Sequence, residues 1–170
     1  MKRISKPGLY DVPELEYHAD SVLAKRLGRS LSHSGAKTLA NPKLTPAHFQ
    51  HEREHGRPAK RTFDFGHAAH AFLLGTGLDI VRVDARDWRT NAAKAAAEEA
   101  RERGAVPLLA EEYDRAQVMV EAARKHERVR QILDRAEAVE KSAYWVDHQT
   151  GVTRRARFDL LSRARSGRLI

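Results

Sequence analysis

One acidic residue stands among arginines near the C-terminal end of this 170-residue chain. The stretch 152–161 reads Val-Thr-Arg-Arg-Ala-Arg-Phe-Asp-Leu-Leu, a pattern typical of a β-strand. Asp159 falls on the same predicted face as Arg155 and Arg157, because successive side chains of a strand point to opposite faces. Two interpretations stay open. Asp159 forms a cross-strand ion pair, or it is a ligand for a hard cation such as Mg²⁺ while the arginines hold a phosphate backbone.

A second carboxylate, Glu140, lies on the preceding predicted strand, 138–147. The four residues 148–151 end in glycine and predict a turn that joins the two strands as a hairpin. A turn centred near residues 149–150 places Glu140 opposite Asp159, close enough for the two carboxylates to act together. This prediction depends on the register, because a slip of one residue would put the two side chains on different faces.

Two histidines, His67 and His70, are three residues apart and share one face of a predicted helix that begins at Gly66. Helical histidine pairs can bind a metal, but the His-Glu-x-x-His pattern of zinc proteases is absent from the sequence. A histidine that packs against a neighbouring element or caps a helix is the alternative. The sequence also lacks the Walker A, G-x-G-x-x-G and G-x-S-x-G patterns, so nucleotide-binding motors, Rossmann enzymes and α/β-hydrolases have no support.

The charge of the chain favours a polyanionic partner. The net charge is +8, and two basic ends flank a mildly acidic centre: residues 1–62 carry 12 Lys/Arg against 6 Asp/Glu, and residues 152–170 carry 6 against 1. Such a basic excess favours nucleic acid before a membrane. The chain has no cysteine, no apolar run long enough to span a bilayer and no secretion signal, which predicts a cytoplasmic protein without a membrane partner.

The elements that must position these residues predict an α+β fold. We expect residues 1–30 to be a loosely structured basic segment and residues 31–170 to form one domain. Its helical N-terminal part is followed by an antiparallel β meander, whose third strand opens at residue 168. The longest predicted helix spans 110–135, and the charged stretch 50–61 is predicted to end in an exposed basic loop.

Six segments of the chain, in order, resemble the RecE-type exodeoxyribonuclease VIII family of the PD-(D/E)XK nuclease superfamily. Ser-His-Ser-Gly-Ala-Lys at 32–37, followed by Pro-Ala-His-Phe at 46–49, is similar to the family's N-terminal region. Phe-Asp-Phe-Gly-His-Ala-Ala-His-Ala-Phe-Leu-Leu-Gly at 63–75 is similar to its "FxxGxAxHxxLLxP" segment. The remaining similar segments are 87–94, 106–113, and the run of matches from Glu-Lys-Ser at 140–142 to Arg-Ala-Arg-Phe-Asp at 155–159.

The resemblance implies a partial restriction-endonuclease-like core and a Mg²⁺-dependent DNA exonuclease, with Mn²⁺ as an alternative ion. It places metal-binding residues at His70 and Asp159, and a further catalytic position at Glu140. It also implies DNA as substrate and a phage recombination (annealing) protein as partner. A homo-oligomer is a separate expectation, because a third strand that is barely begun leaves a sheet edge open to self-association. The residues expected to contact DNA are basic and lie in the 50–61 stretch or on the last strand: Lys60, Arg61, Arg154, Arg155 and Arg157.

This chain departs from the family pattern at several positions. His67 stands where a small residue is usual, and Arg155 where cysteine is often found. The Asp-x-Lys that the family carries on its next strand is not found in these 170 residues. The sequence therefore predicts a truncated nuclease with an incomplete active site. The alternative is a non-catalytic DNA-binding or interaction module derived from such a nuclease.

Overall fold

The computed structural model describes residues 3–56 and 61–162. Within these residues, seven α-helices combine with a three-stranded antiparallel sheet of order β1-β4-β5 and a parallel pair, β2 and β3. The predicted α+β class is confirmed, while the predicted strand at residue 168 lies outside the described residues. The elements are β1 (Gly8–Asp11), α1 (Glu14–Ala19), a 3-10 turn (Lys25–Leu27), α2 (His33–Ala40), α3 (Pro46–His55), α4 (Arg61–Leu74), β2 (Ile80–Val83), α5 (Asn91–Glu102), β3 (Val106–Leu109), α6 (Ala110–Lys125), α7 (Glu127–Asp134), β4 (Ala136–Val146) and β5 (Thr153–Ser162).

The chain divides into two compact units. Among the described residues, unit 1 comprises 3–56 and 140–160, and unit 2 comprises 61–139 and 161–162. Unit 1 is therefore built from two stretches that are distant in sequence. The sequence pattern predicted a boundary at residue 30 instead, because it carries no signal for pairing between such distant stretches.

The N-terminal thirty residues, for which we expected loose structure, supply most of the core of unit 1. β1 pairs antiparallel with β4, with Gly8 opposite Tyr144. Ile4 forms backbone hydrogen bonds on both sides with the segment around Val22, each 2.8 Å long. The strand β1 is too short to show a clear periodicity in the sequence, and its pairing with β4 is what identifies it as a strand. The buried cluster of unit 1 consists of Ile4, Val12, Tyr17, Val22, Leu23 and Tyr144.

Local signals place the starts of the helices in unit 1. The Ser32 hydroxyl accepts a hydrogen bond from the amide of Gly35 at 3.2 Å, so Ser32 is the N-cap of α2. α2 ends immediately before Asn41-Pro42, as the proline predicts. α3 begins at Pro46 behind the N-cap residue Thr45, a pair that is common at helix starts because proline suits the first helical position.

The prediction of one long helix over 110–135 was wrong. His126 adopts an extended backbone conformation with ψ of 121° and separates α6 from α7. The buried positions of α6, Ala116 and Val120, would continue on the same face to residues 123, 127 and 131, but positions 127 and 131 are Glu127 and Gln131. The apolar stripe therefore stops, and with it the packing that would hold a longer helix.

In unit 2, α4 packs against α6 and β3. β2 and β3 are joined through α5, the crossover connection that parallel strands require. Ala68 of α4 is fully buried with Leu108 and Ala116, because its small side chain lets the neighbouring elements approach closely. The Arg124 guanidinium donates to the carbonyl of Phe72 at 2.7 Å and satisfies the C-terminal end of α4. α4 begins at Arg61, five residues before the predicted start at Gly66.

Candidate functional site

The site predicted from the sequence rests on the β4–β5 hairpin, and a short turn sets the hairpin's geometry. The Asp147 carboxylate accepts hydrogen bonds from the Thr150 hydroxyl at 2.8 Å and the Thr150 amide at 3.0 Å. Gly151 has a φ of +69°, which glycine adopts readily, and its amide donates to the Asp147 carbonyl. The predicted turn at 148–151 is confirmed, and the strands that it joins differ from the predicted bounds by one or two residues.

These hydrogen bonds lower the pKa of Asp147, the Thr150 hydroxyl having the largest effect. Because its pKa is lowered in the folded state, ionised Asp147 stabilises the folded protein at pH values above the ordinary aspartate pKa. This stabilisation is lost as the pH falls through the lowered pKa.

Thr150→Val should raise the pKa of Asp147 toward its ordinary value, because it deletes the strongest donor. The measurement is an NMR titration of the Asp147 carboxyl carbon. Gln149→Ala is the control because its backbone amide is retained; an unchanged pKa in Thr150→Val would contradict the assignment.

Glu140 on β4 and Asp159 on β5 lie close together, as the hairpin register predicted. Each offers a carboxylate oxygen, and these two oxygens lie within 4.8 Å of one another. Hard divalent cations bind carboxylate oxygens at about 2.0–2.6 Å, so one ion can contact both after small side-chain rotations. The chemistry of the donors and their spacing fit such an ion. Asp159 is exposed and Glu140 is half-buried, so the pair has a solvent-accessible side and a sheltered side.

The backbone at Glu140 is unusual for a strand residue. Its φ is +58°, and Glu140 and Asp20 are the two non-glycine residues with positive φ in the described part of the chain. This conformation costs a non-glycine residue of the order of 1–3 kcal/mol and persists where surrounding contacts impose it. A local departure from regular strand geometry redirects a side chain, as β-bulges next to active sites do.

Arg157 of β5 forms an ion pair that helps to hold Glu140 in place. Its guanidinium forms an ion pair with the Glu140 carboxylate and donates to the Val12 carbonyl at 2.7 Å and the Ser142 hydroxyl at 3.0 Å. It also lies over the Tyr17 ring, 5.6 Å from the centroid. These four contacts make Arg157 part of the interior of unit 1 and offset the negative charge of Glu140.

A further acid in unit 1, Asp20, was not predicted from the sequence. Asp20 contacts Arg155 at 2.6 Å and Arg53 at 3.1 Å, and it accepts from the Ser30 amide at 2.8 Å and the Ser30 hydroxyl at 2.5 Å. The Asp20 side chain is only 6% exposed. No local pattern could have identified it, because its partners are 10, 33 and 135 residues away.

The arginine-bearing face of β5 turns toward the core of unit 1 rather than toward solvent. Thr153 is buried, and Arg155 and Arg157 are half-buried, whereas Arg154 and Phe158 on the other face are exposed. The predicted alternation of the two faces agrees with this pattern of exposure, and the sequence carried no prediction of which face points to the core. The guanidinium of Arg155 lies over Tyr17 at 5.1 Å, an arrangement that lets an arginine pack among apolar residues.

The five residues expected to contact DNA have different surroundings. Arg154 is 45% exposed and pairs with Asp147 at 3.4 Å. Arg155 and Arg157 have the internal partners described above. Lys60 lies outside the described residues, and Arg61 is the first residue of α4. DNA contact by these residues stays a prediction, and Arg154 is the one whose described side chain is best placed to reach a ligand in solvent.

His70 lies on α4 in unit 2 and is half-buried, while His67 is exposed on the same helix. The packing of Ala68 and the hydrogen bonds from Arg124 fix the position of α4 within its unit. Of the two predicted helical histidines, His70 is thus the one held in a more sheltered environment.

Comparison of the chain with protein-family models, with curated proteins and with solved structures found no match. None of the helices in residues 3–56 and 61–162 has the length and apolar character needed to cross a membrane.

Proposed function

We propose that this chain is a Mg²⁺-dependent DNA exonuclease of the RecE-like type, with a restriction-endonuclease-like core built around the β4–β5 hairpin. The observation that carries the proposal is the approach of the Glu140 and Asp159 carboxylate oxygens to within 4.8 Å of one another. Support also comes from the ordered sequence resemblance and from the net charge of +8, which suits a polyanionic substrate.

In this proposal Asp159 and Glu140 hold the cation, and the resemblance adds His70 as a third ligand. The bound ion supplies polarisation of a phosphoryl oxygen and activation of water for phosphodiester hydrolysis. Arg157 keeps the Glu140 carboxylate oriented through its ion pair. Arg154, exposed on the opposite face of the same strand, contributes positive charge toward the DNA backbone.

The test is degradation of linear duplex DNA in Mg²⁺ or Mn²⁺ by the wild-type chain and by Asp159→Asn. We expect the variant to lose at least about 100-fold in rate, because even groups that only support a metal ligand are worth 10- to 100-fold. Asp79→Asn is the matched control, since Asp79 is an exposed acid in unit 2. Covalently closed circular DNA should resist the enzyme. Cleavage that is equal in wild type and Asp159→Asn would contradict the proposal.

Metal binding provides a second readout of the same site. Electron paramagnetic resonance of Mn²⁺ should show a bound ion in the wild type and in Asp79→Asn, and weaker binding in Glu140→Gln and Asp159→Asn. His70→Gln tests the third ligand separately. If His70→Gln bound Mn²⁺ with the affinity of the wild type, His70 would not be a ligand, and the assignment of the two carboxylates would stand.

The second candidate is a non-catalytic DNA-binding or interaction module. The ion pair between Arg157 and Glu140 favours it, because an acid with a structural partner is accounted for without a metal. This candidate predicts salt-sensitive DNA binding without cleavage and no Mn²⁺ bound at the hairpin. The two assays above therefore separate the candidates.

A further inference from the structure

Helix α3 (Pro46–His55) carries three histidines on one side. His48, His51 and His55 are separated by three and four residues, which places them within about 60° of one another around a helix. All three are exposed. This helix belongs to unit 1 and contributes nothing to the carboxylate pair on the hairpin.

His51 and His55 have the spacing at which two helical histidines bind one metal ion. Their rings are stacked, with centroids 4.3 Å apart and an interplanar angle of 25°. Residues four apart on a helix lie one above the other, so both rings can present a nitrogen to the same point in solvent. Rotation about side-chain bonds is enough to do so, and the backbone need not move.

The hydrogen bonds of the helix decide which nitrogens are available. The Nδ1 atom of His55 lies 3.1 Å from the carbonyl oxygen of His51. A carbonyl only accepts, so Nδ1 carries the proton and Nε2 keeps its lone pair for a ligand. A hydrogen bond from one ring nitrogen to a backbone carbonyl is also the usual support of a metal-binding histidine.

His48 has the opposite arrangement. Its Nδ1 atom accepts a hydrogen bond from the Thr45 backbone amide at 3.1 Å and lies 2.8 Å from the Thr45 hydroxyl. A backbone amide only donates, so the proton of the neutral ring is on Nε2, and neither nitrogen is available to a metal. His48 therefore caps α3, and the two remaining histidines are the ligand pair.

We propose that His51 and His55 form a surface site for a transition-metal ion that prefers imidazole, such as Zn²⁺, Ni²⁺ or Cu²⁺, with water completing the coordination. Imidazole nitrogens suit these ions, while Mg²⁺ prefers oxygen ligands. The site is chemically distinct from the carboxylate pair. Binding links two successive turns at the end of α3, so the ion also stabilises the helix just before Gly56.

The experiment is calorimetric titration of Zn²⁺ and Ni²⁺ into the untagged 170-residue chain in excess Mg²⁺. We expect affinity to fall at least about tenfold in His51→Gln and in His55→Gln, since each removes one of two protein ligands. His48→Gln is the control on the same helix and His126→Gln the control elsewhere; both should bind as the wild type does. Circular dichroism melts without metal verify that each variant is folded.

Three outcomes would overturn the proposal: no Zn²⁺ or Ni²⁺ binding by the wild type, unchanged affinity in His51→Gln and His55→Gln, or an equal loss in His48→Gln. Glu140→Gln and Asp159→Asn should leave the calorimetric site intact. A loss of Zn²⁺ binding in these two variants, with His51→Gln unaffected, would assign the transition metal to the hairpin instead.

Discussion

Asp20→Ala is expected to lower the free energy of unfolding by about 3–5 kcal/mol, because it removes a buried acid and leaves two half-buried arginines without their partner. The Arg155 side chain is 11% exposed and contacts Asp20 at 2.6 Å, and Arg53 contacts the same carboxylate at 3.1 Å. The Ser30 amide and hydroxyl lose their acceptor too. Chemical denaturation followed by circular dichroism measures the loss.

Two further substitutions separate charge from backbone conformation at this position. Asp20 has φ 54° and ψ 37°, the left-handed region that asparagine and glycine tolerate better than alanine. Asp20→Asn keeps the conformational preference and removes the charge, so it should still lose most of the stability. Asp20→Gly relieves the backbone and should recover only a small part of the loss seen with alanine.

An exposed ion pair provides the control for the Asp20 variants. Asp84 pairs with Arg82 in unit 2 and its side chain is 80% exposed. Asp84→Asn should change stability by less than about 1 kcal/mol, as is usual for surface pairs. If Asp20→Ala cost no more than Asp84→Asn, the buried network would not stabilise unit 1.

Tyr144→Ala is expected to cost about 3–5 kcal/mol, because it removes a large side chain from the centre of unit 1. Tyr144 is 1% exposed and packs edge-on against Tyr10 and Tyr17, with ring centroids 6.3 and 6.5 Å away.

Tyr144→Phe should have the opposite effect on stability. In the described residues the buried hydroxyl has no hydrogen-bond partner, so its removal should raise stability by about 1 kcal/mol.

The pH dependence of stability checks the same hydroxyl. Burial raises the pKa of Tyr144 from 10.0 to about 12. A raised pKa means that the folded state keeps its proton longer than the unfolded state does. The protonated hydroxyl of Tyr144 therefore contributes fully to the stability of the folded state below pH 10, and this contribution is lost as the pH rises from 10 toward 12. Tyr144→Phe should flatten this alkaline decline; a steeper decline, or a loss of stability at neutral pH, would show that the hydroxyl has a partner.

Short-range signals in the sequence were sufficient for several elements. Ser32 and Pro46 mark helix starts, Asn41-Pro42 marks a helix end, and Gly151 completes the hairpin turn. Each depends on residues within a few positions of one another, through capping hydrogen bonds or restricted φ angles. The alternation along β5 was readable for the same reason.

Long-range pairing was not readable. The segment before residue 30 becomes ordered because the Ile4 amide donates a hydrogen bond to the Val22 carbonyl and because β1 pairs with β4, 130 to 136 residues away. The inward turn of Arg155 likewise requires Asp20 and Tyr17. A sequence pattern shows which side chains share a face, but the partners that make that face interior come from other segments.

The β4–β5 hairpin has some features that the sequence predicted and others that only the tertiary structure decided. The sequence alone predicted that Glu140 and Asp159 lie close together on adjacent strands, because a tight turn and a period of two limit the choice of register. Only the tertiary structure decided that Glu140 has a positive φ and an ion pair with Arg157. Those features arise because Val12, Tyr17 and Ser142 surround the arginine, and such contacts form only when distant parts of the chain pack together.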